Sequence, residues 1–141
     1  MKQEDRNRIT DMLRQLPGKI SVVAWQPSAG ERLEYCPDLP HVAASVIKIP
    51  VMVEAFRQRM EGSLDFEAEV TIRPEDKMPS CGALTYMHDG LGVTVRDLVT
   101  LMIILSDNTA TNLLIDWLTI PSVNAARSLI VSPETRHVPH V

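Results

Sequence analysis

The sequence predicts an α+β fold in which a helix and a β-hairpin precede a mostly helical part. Three observations support this. An early charged segment has a helical apolar stripe, two β-rich segments flank a turn at 27–30, and two nearly all-apolar stretches of helical character follow residue 43. A length of 141 residues has room for one domain. We place that domain over 1–141, with the helix and hairpin in 1–40 and the helical part in 41–141.

The composition excludes several classes of protein. Lys and Arg number 14 against 18 for Asp and Glu, a net charge of −4, so no excess of cations is available to neutralise the phosphates of a nucleic acid. A hydrophobic share of 45% is typical of a globular chain rather than a disordered one. No apolar run approaches the ~18 residues that span a membrane. The first residues contain no apolar signal segment, so we expect a cytoplasmic protein, although a longer or processed gene product would be compatible with secretion.

The first 40 residues predict one helix and two strands. Pro17-Gly18 ends the helix, and the strands cover 20–25 and 31–35 on either side of the turn. The stripe that predicts the helix consists of Ile9, Met12, Leu13 and Leu16.

The stretch 43–60 predicts a buried helix, since its first half is apolar almost all round. Pro50 is tolerable there only near the first turn, and Gly62 ends the helix. A short strand is predicted at 70–72 within an otherwise irregular segment.

A capping box of Thr94 and Asp97 predicts the start of a second apolar helix over 95–105. The helical pattern is interrupted at 106–108 and resumes over 109–118. We expect its apolar face to contain Ala110, Leu113, Leu114 and Trp117.

A last helix is predicted over 123–129 with Ser122 as its N-cap, and the tail after it has no periodicity. His137 and His140 have no third ligand nearby in this tail, so we do not interpret them as a metal site.

Ser45 and Lys48 are three residues apart, so their side chains share one helical face. A lysine among apolar neighbours loses solvation and is more easily neutral, and a neutral lysine can take the proton of a serine nucleophile. We expect Val46, Ile47, Ile49, Val51 and Met52 to bury it. A chain of this length contains roughly half of one S-x-x-K by chance, so the tetrapeptide alone is weak evidence of catalysis.

Ser106, Asp107 and Asn108 lie where the helical pattern breaks. All three types are preferred N-caps, so a purely structural reading explains them. A rigidly placed cap is also a good platform for polar groups of a site, and the two readings are compatible.

The two motifs in this order, each led into by an apolar helix, resemble those of the serine β-lactamase and penicillin-binding protein superfamily. ASVIKIPVM is similar to the nucleophile helix of class A β-lactamases. CGALTYMHDGLGVTVRDLVTLMIILSDNTATNLLID is similar to the stretch through their second motif. The resemblance covers roughly residues 4–136 and implies a β-lactamase/transpeptidase-like fold.

The resemblance implies a role for each motif residue. Ser45 would attack a lactam carbonyl, and its backbone N–H would be one oxyanion donor. Lys48 would accept or relay the proton, and Ser106 would pass a proton towards the lactam nitrogen. Asn108 would bind the substrate's amide, and Asp107 would be structural. The implied activity is β-lactam hydrolysis through an acyl-enzyme, without a metal or organic cofactor.

The sequence departs from the family pattern after the second motif. None of Lys19, Lys48 and Lys77 begins a K-T-G motif. Glu134 comes too early in the pattern to be the deacylating glutamate, and we interpret it as a surface or turn residue. We therefore expect the N-terminal part of a class A-like enzyme, apparently truncated, with the C-terminal sheet strands missing and with impaired activity.

Two alternatives to the hydrolase remain open. One is a penicillin-binding DD-peptidase-like acyltransferase, which shares the first two motifs. The other is a non-catalytic fragment that self-associates through an exposed hairpin edge, because a two-stranded ribbon is marginal alone and its edges invite pairing. The only expected small-molecule partner is a β-lactam, with no nucleic acid and no membrane. Cys36 and Cys81 are interpreted as reduced thiols, with a bridge between them as the alternative.

Overall fold

The computed structural model describes residues 1–79 and 81–130. The chain divides into two compact units, Met1–Val42 and Ala43–Val141. The assignment of the whole chain to one domain stays a prediction. Glu134, His137 and His140 lie outside the described residues.

The first unit is a helix followed by a β-hairpin, as the sequence predicts, and none of its residues is buried. The strands are antiparallel, with Val22 opposite Tyr35 and Gln26 opposite Glu31. Gly30 closes the turn in the left-handed region at φ 63°, a conformation that glycine adopts without strain. The elements are α1 (Gln3–Gln15), β1 (Val22–Gln26), a 3₁₀ turn (Pro27–Ala29) and β2 (Glu31–Tyr35).

The second unit contains four helices and a small two-stranded sheet among its described residues. The strands are antiparallel, with Val70 opposite Val93. The main elements are a 3₁₀ turn (Ala44–Ile47), α2 (Lys48–Met60), β3 (Glu69–Thr71), 3₁₀ turns (Pro74–Asp76 and Leu84–Tyr86), β4 (Gly92–Thr94), α3 (Val95–Ile104), α4 (Asn108–Leu118) and α5 (Ile120–Ile130).

The core of the second unit lies among its helices, with α2 packed against α4 and α5, and α3 packed against α4. Burial of aliphatic side chains at these contacts is the main favourable term for folding. The largest fully buried apolar side chains are Ile72, Leu84, Leu98, Met102, Leu114, Ile115, Leu118, Val51, Val95 and Val123.

The capping box is confirmed, because the Thr94 hydroxyl accepts the Asp97 N–H at 3.1 Å and the Asp97 carboxylate accepts the Thr94 N–H at 2.9 Å. The prediction that Ser122 caps the last helix is wrong. That helix begins at Ile120, so Ser122 lies in its first turn, where its hydroxyl accepts a hydrogen bond from Thr119. Pro121 accounts for the earlier start, since proline is favoured in a first helical turn.

The buried face of α4 is rotated from the predicted one. Ala110 and Leu114 are buried as expected, but Leu113 is only half-buried and Trp117 is exposed. Packing against helices on two sides broadens the buried face around the helix axis. Its other members are Thr109, Thr111, Ile115 and Leu118.

Cys36 and Cys81 are both free and exposed, so the alternative of a bridge between them is not adopted. Over the described ranges, no helix has the length and apolarity needed to cross a bilayer.

Candidate active site

A 3₁₀ turn places Ser45 directly over Lys48. Residues three apart eclipse one another in a 3₁₀ helix, and Lys48 Nζ donates a hydrogen bond of 3.4 Å to Ser45 Oγ. The sequence predicted one helix over 43–60, whereas the structure has this turn followed by α2 from Lys48. Pro50 falls in the first turn of α2, where its missing N–H has no partner to lose.

The loop between α3 and α4 supplies the second group of side chains. Asp107 is the N-cap of α4, and its carboxylate accepts the Ala110 N–H at 3.0 Å. The residue before it, Ser106, has a left-handed backbone at φ 55°. A non-glycine residue in that region is uncommon and persists only where the surroundings hold it.

Lys48 brings the two groups together. Its ammonium donates to Ser106 O and Ser106 Oγ, both at 2.7 Å, and to Asn108 Oδ1 at 2.8 Å. The two serine hydroxyls are 2.8 Å apart and form a hydrogen bond. Ser45, Lys48 and Ser106 therefore form a closed triangle of hydrogen bonds across which a proton can move.

Burial lowers the pKa of the Lys48 ammonium below its usual value, and the Cys81 thiol and the Asp107 carboxylate oppose this shift. Lys48 is only 3% exposed. The predicted source of this burial is partly wrong, because Val46 and Ile49 are exposed. The polar loop at 106–108 covers the ammonium instead.

The Asp107 carboxylate is fully buried and binds backbone N–H groups on two sides. Besides Ala110, it accepts from the Ala83 N–H at 2.7 Å and the Leu84 N–H at 2.9 Å. Backbone N–H donors stabilise a charged carboxylate. These hydrogen bonds connect the loop at 106–108 to residues 83–84 and to the first turn of α4. Ser45 Oγ forms its hydrogen bonds with Ser106 Oγ and Lys48 Nζ rather than with Asp107.

The sequence analysis did not predict that residues 81–84 contact the loop at 106–108. Cys81 C=O accepts the Asn108 N–H at 3.2 Å, which ties this segment to the start of α4. The signal that could have drawn attention to it is Gly82, a glycine in an irregular segment outside the predicted turns. Within residues 1–79 and 81–130, no cluster of three His, Cys, Asp or Glu side chains could hold a metal ion.

A family model described as the beta-lactamase enzyme family matches residues 5–131. The chain belongs to this family. The family's fold, the β-lactamase/transpeptidase-like α+β fold, is therefore confirmed. No curated protein matches the sequence significantly.

Solved structures of β-lactamases and of a penicillin-binding protein superpose on the chain. A beta-lactamase from Sphaerobacter thermophilus is 29% identical with a TM-score of 0.83, over 97% of this chain and 57% of that one. A structure titled PBP-A is 27% identical with a TM-score of 0.84, over 97% and 52%. An L158E mutant of PBP-A, titled as an acyl-enzyme complex with penicillin G, is 27% identical with a TM-score of 0.82, over 95% and 52%. The chain thus spans a little over half the length of these family relatives.

Proposed function

We propose that this chain is a class A β-lactamase-like serine hydrolase that is acylated by β-lactams on Ser45. The observation that carries the proposal is the position of Lys48 Nζ within hydrogen-bond distance of both Ser45 Oγ and Ser106 Oγ. Membership of the beta-lactamase enzyme family supports the reaction class. The roles given below to individual residues are part of the proposal.

Acylation begins when Ser45 Oγ attacks the carbonyl carbon of the lactam. The new Oγ–C bond forms as the C–N bond of the ring breaks, and the serine proton passes to neutral Lys48. Desolvation favours that neutral form, since burial lowers the pKa of Lys48. A hydroxyl is a weak nucleophile without such a base.

Ser106 completes the transfer by delivering a proton to the lactam nitrogen. Its hydroxyl is 2.7 Å from Lys48 Nζ and 2.8 Å from Ser45 Oγ, so it can receive a proton from either group. Asn108 accepts a hydrogen bond from Lys48 Nζ, and in this proposal it binds the substrate's side-chain amide. The Ser45 N–H supplies one oxyanion donor, and neither a metal nor an organic cofactor takes part.

Hydrolysis requires a water molecule to attack the acyl carbon while a base takes its proton. Among the described residues, no carboxylate forms a hydrogen bond with Ser45, Lys48 or Ser106. We therefore place the bottleneck of this 141-residue chain at deacylation.

The test is covalent labelling with a fluorescent penicillin, followed by denaturing electrophoresis. The native chain is expected to retain the label, and Ser45→Ala is expected to abolish it. Ser63→Ala is the matched control, because Ser63 is an exposed serine whose hydroxyl donates only to a backbone carbonyl. Equal labelling of Ser45→Ala and the native chain would contradict the proposal.

A DD-peptidase-like acyltransferase is the second candidate. The PBP-A mutant, whose structure is titled as an acyl-enzyme complex with penicillin G, supports this candidate. It is 27% identical to this chain, and the Sphaerobacter β-lactamase is 29% identical, so the two are similar to the chain to nearly the same degree. Release of D-alanine from a peptide ending in D-Ala-D-Ala, dependent on Ser45, would favour this candidate over the hydrolase.

A non-catalytic self-associating chain is the third candidate, supported by the exposed side chains of Val23 and Trp25 on the hairpin. Concentration-dependent association together with no labelling by penicillin would favour it. The cytoplasmic location expected from the sequence stays a prediction.

A further inference from the structure

The backbone of residues 81–84 makes three hydrogen bonds to the loop that carries Ser106. Asp107 Oδ2 accepts from the N–H groups of Ala83 and Leu84, and the Asn108 N–H donates to Cys81 C=O. We name residues 81–84 the bracing segment. It contacts the residues directly after Ser106 and does not form a hydrogen bond with Ser45 or Lys48.

Gly82 is the point at which the bracing segment comes closest to the loop. A Cβ built there would lie 2.3 Å from both Cγ and Oδ2 of Asp107 and 2.8 Å from its Cα. Real Cβ atoms do not approach other atoms so closely, and the contact with Cα cannot be relieved by a rotamer change. Gly82 also has φ +131°, a conformation that side chains disfavour.

We propose that Gly82 is a positioning residue for the acylation of Ser45. Its missing side chain lets Ala83 and Leu84 reach the Asp107 carboxylate, and that carboxylate fixes Ser106 and Asn108 around Lys48. The inference rests on the proposed function for its catalytic consequence, but its structural consequence can be measured without any substrate.

The expected size of the effect follows from the geometry. Relieving contacts of 2.3 Å and 2.8 Å requires the loop or the bracing segment to move by several tenths of an ångström to about 1 Å, and a misplacement of about 1 Å costs about 10²-fold in rate. The Ser106 backbone is already left-handed, so it has few alternative conformations into which the strain can relax.

The experiment compares Gly82→Ala with two matched glycine variants in the full chain. Gly90 has φ +79° with nothing within 4 Å of its built Cβ, so Gly90→Ala isolates the effect of backbone strain. Gly92 has neither a positive φ nor a close neighbour, so Gly92→Ala tests the substitution alone. The rate of acylation by penicillin is expected to fall about 100-fold in Gly82→Ala and to stay within about twofold in both controls.

The second readout is the pKa of Lys48, followed by NMR titration of its Cε carbon without substrate. Burial lowers this pKa, and Cys81 and Asp107 are the titratable groups that raise it. Displacement of the loop admits water to the ammonium, so the pKa is expected to rise towards the ordinary lysine value in Gly82→Ala and to stay unchanged in both controls. The pKa is read on the folded chain, with circular dichroism as the check, because unfolding would by itself return Lys48 to the ordinary lysine value.

Asp107→Asn provides an independent variant if Gly82→Ala does not fold. It keeps the side-chain volume but weakens the bonds to Ala83 and Leu84, so the rate of acylation is expected to fall as in Gly82→Ala. The rate is the readout for this variant, because the loss of the Asp107 charge by itself lowers the pKa of Lys48. A native rate together with a native Lys48 pKa in Gly82→Ala would overturn the inference, as would a native rate in Asp107→Asn where Gly82→Ala does not fold. Should the native chain not be acylated at all, the proposed function fails, and the Lys48 pKa alone decides whether Gly82 positions the loop.

Discussion

Lys48 is subject to two opposing influences. Its burial favours the neutral amine, whereas the surrounding oxygens of Ser106 and Asn108 favour the ammonium. Burial is the larger influence, so the pKa is lowered. A base with a pKa closer to the working pH is more useful in proton transfer. The lowered pKa makes the neutral amine easier to form at Lys48 than at an exposed lysine.

The pH dependence of acylation tests this account of Lys48. The neutral amine accepts the proton, and its fraction grows as the pH rises through the pKa. The rate is therefore expected to increase with pH and to level off below the ordinary lysine pKa of about 10.4. Pre-steady-state acylation by penicillin at a series of pH values measures it.

Lys48→Arg is the control for the pH profile. Arginine keeps the positive charge but does not release its proton, so the rate is expected to fall by about 10²–10⁴. A profile that is flat with pH, or an arginine variant as fast as the native chain, would contradict the role of Lys48 as a base.

Helix α2 contains a buried acidic side chain whose hydrogen-bond partners lie on the same helix. The Glu54 carboxylate is only 1% exposed and accepts two hydrogen bonds from Arg57 and one from Gln58, each at 2.7 Å. The Arg57 guanidinium holds the pKa of Glu54 below its usual value against the effect of burial. Gln58 continues the network to the backbone carbonyl of Leu118 at the end of α4.

Glu54→Gln is expected to lower the free energy of unfolding by about 2 kcal/mol, because the amide turns one buried acceptor into a donor facing other donors. Glu61→Gln is the matched control, since Glu61 binds the same arginine but is exposed, and it is expected to have little effect. Urea denaturation at pH 7 measures both. Equal effects of the two substitutions would contradict the role given to the buried carboxylate.

The same group gives a pH dependence of stability. The folded-state pKa of Glu54 lies below its unfolded value, so its stabilisation is fully present above the unfolded pKa of about 4.3 and is lost as the pH falls through the folded pKa. The difference in unfolding free energy between the native chain and Glu54→Gln is therefore expected to shrink below about pH 4. A difference that stays constant down to low pH would contradict the pKa shift.

The hairpin of the first unit presents apolar side chains at one face of a two-stranded sheet. Trp25 is 68% and Val23 53% exposed, and the residues opposite them, Arg32 and Glu34, pair with each other at 2.5 Å. Exposed edge strands with apolar faces tend to pair with a second chain.

We expect the chain to associate with itself as its concentration rises, and Trp25→Gln to weaken that association. Trp117→Gln is the control, because Trp117 is also an exposed tryptophan but lies on α4. Light scattering over a concentration series measures the association. A chain that stays monomeric at all concentrations would contradict the expected association. Equal effects of the two substitutions would contradict association through the hairpin.

The elements that sequence reasoning predicted well are those with strong local signals. The Thr94–Asp97 capping box marks the start of α3, and the strand over Glu31–Tyr35 is where its alternation predicts it. Strand β4 was missed because its three residues gain strand character only by pairing with β3. The error at Ser122 shows that a preferred capping residue is outweighed by a proline that can start the helix a turn earlier.

The candidate site could be predicted as a set of residues but not as an arrangement. Local patterns predict which residues belong to the candidate site. These patterns are the spacing of Ser45 and Lys48 and the break in the helical pattern at 106–108. The contacts from Lys48 to Ser106 and Asn108 join residues 58 and 60 positions apart, which no local pattern encodes. The closeness of Gly82 to Asp107 is likewise a product of packing.

The whole chain spans a little over half the length of the relatives it matches. We expect its acyl-enzyme to be long-lived, because general-base catalysis is worth about 10²–10⁴ in rate and no described carboxylate forms a hydrogen bond with the side chains of Ser45, Lys48 or Ser106. With a chromogenic cephalosporin, absorbance is expected to show a burst of about one equivalent followed by slow turnover. Ser45-dependent turnover as fast as that of the Sphaerobacter β-lactamase would contradict this expectation.

The most direct test of the central claim is to locate the covalent bond. After incubation with penicillin G, intact-mass measurement and peptide mapping are expected to find a single adduct on Ser45, within the peptide that also contains Lys48. An adduct on Ser106 with Ser45 unmodified, or no adduct on the folded chain, would contradict the claim that Ser45, Lys48 and Ser106 form an acylation site.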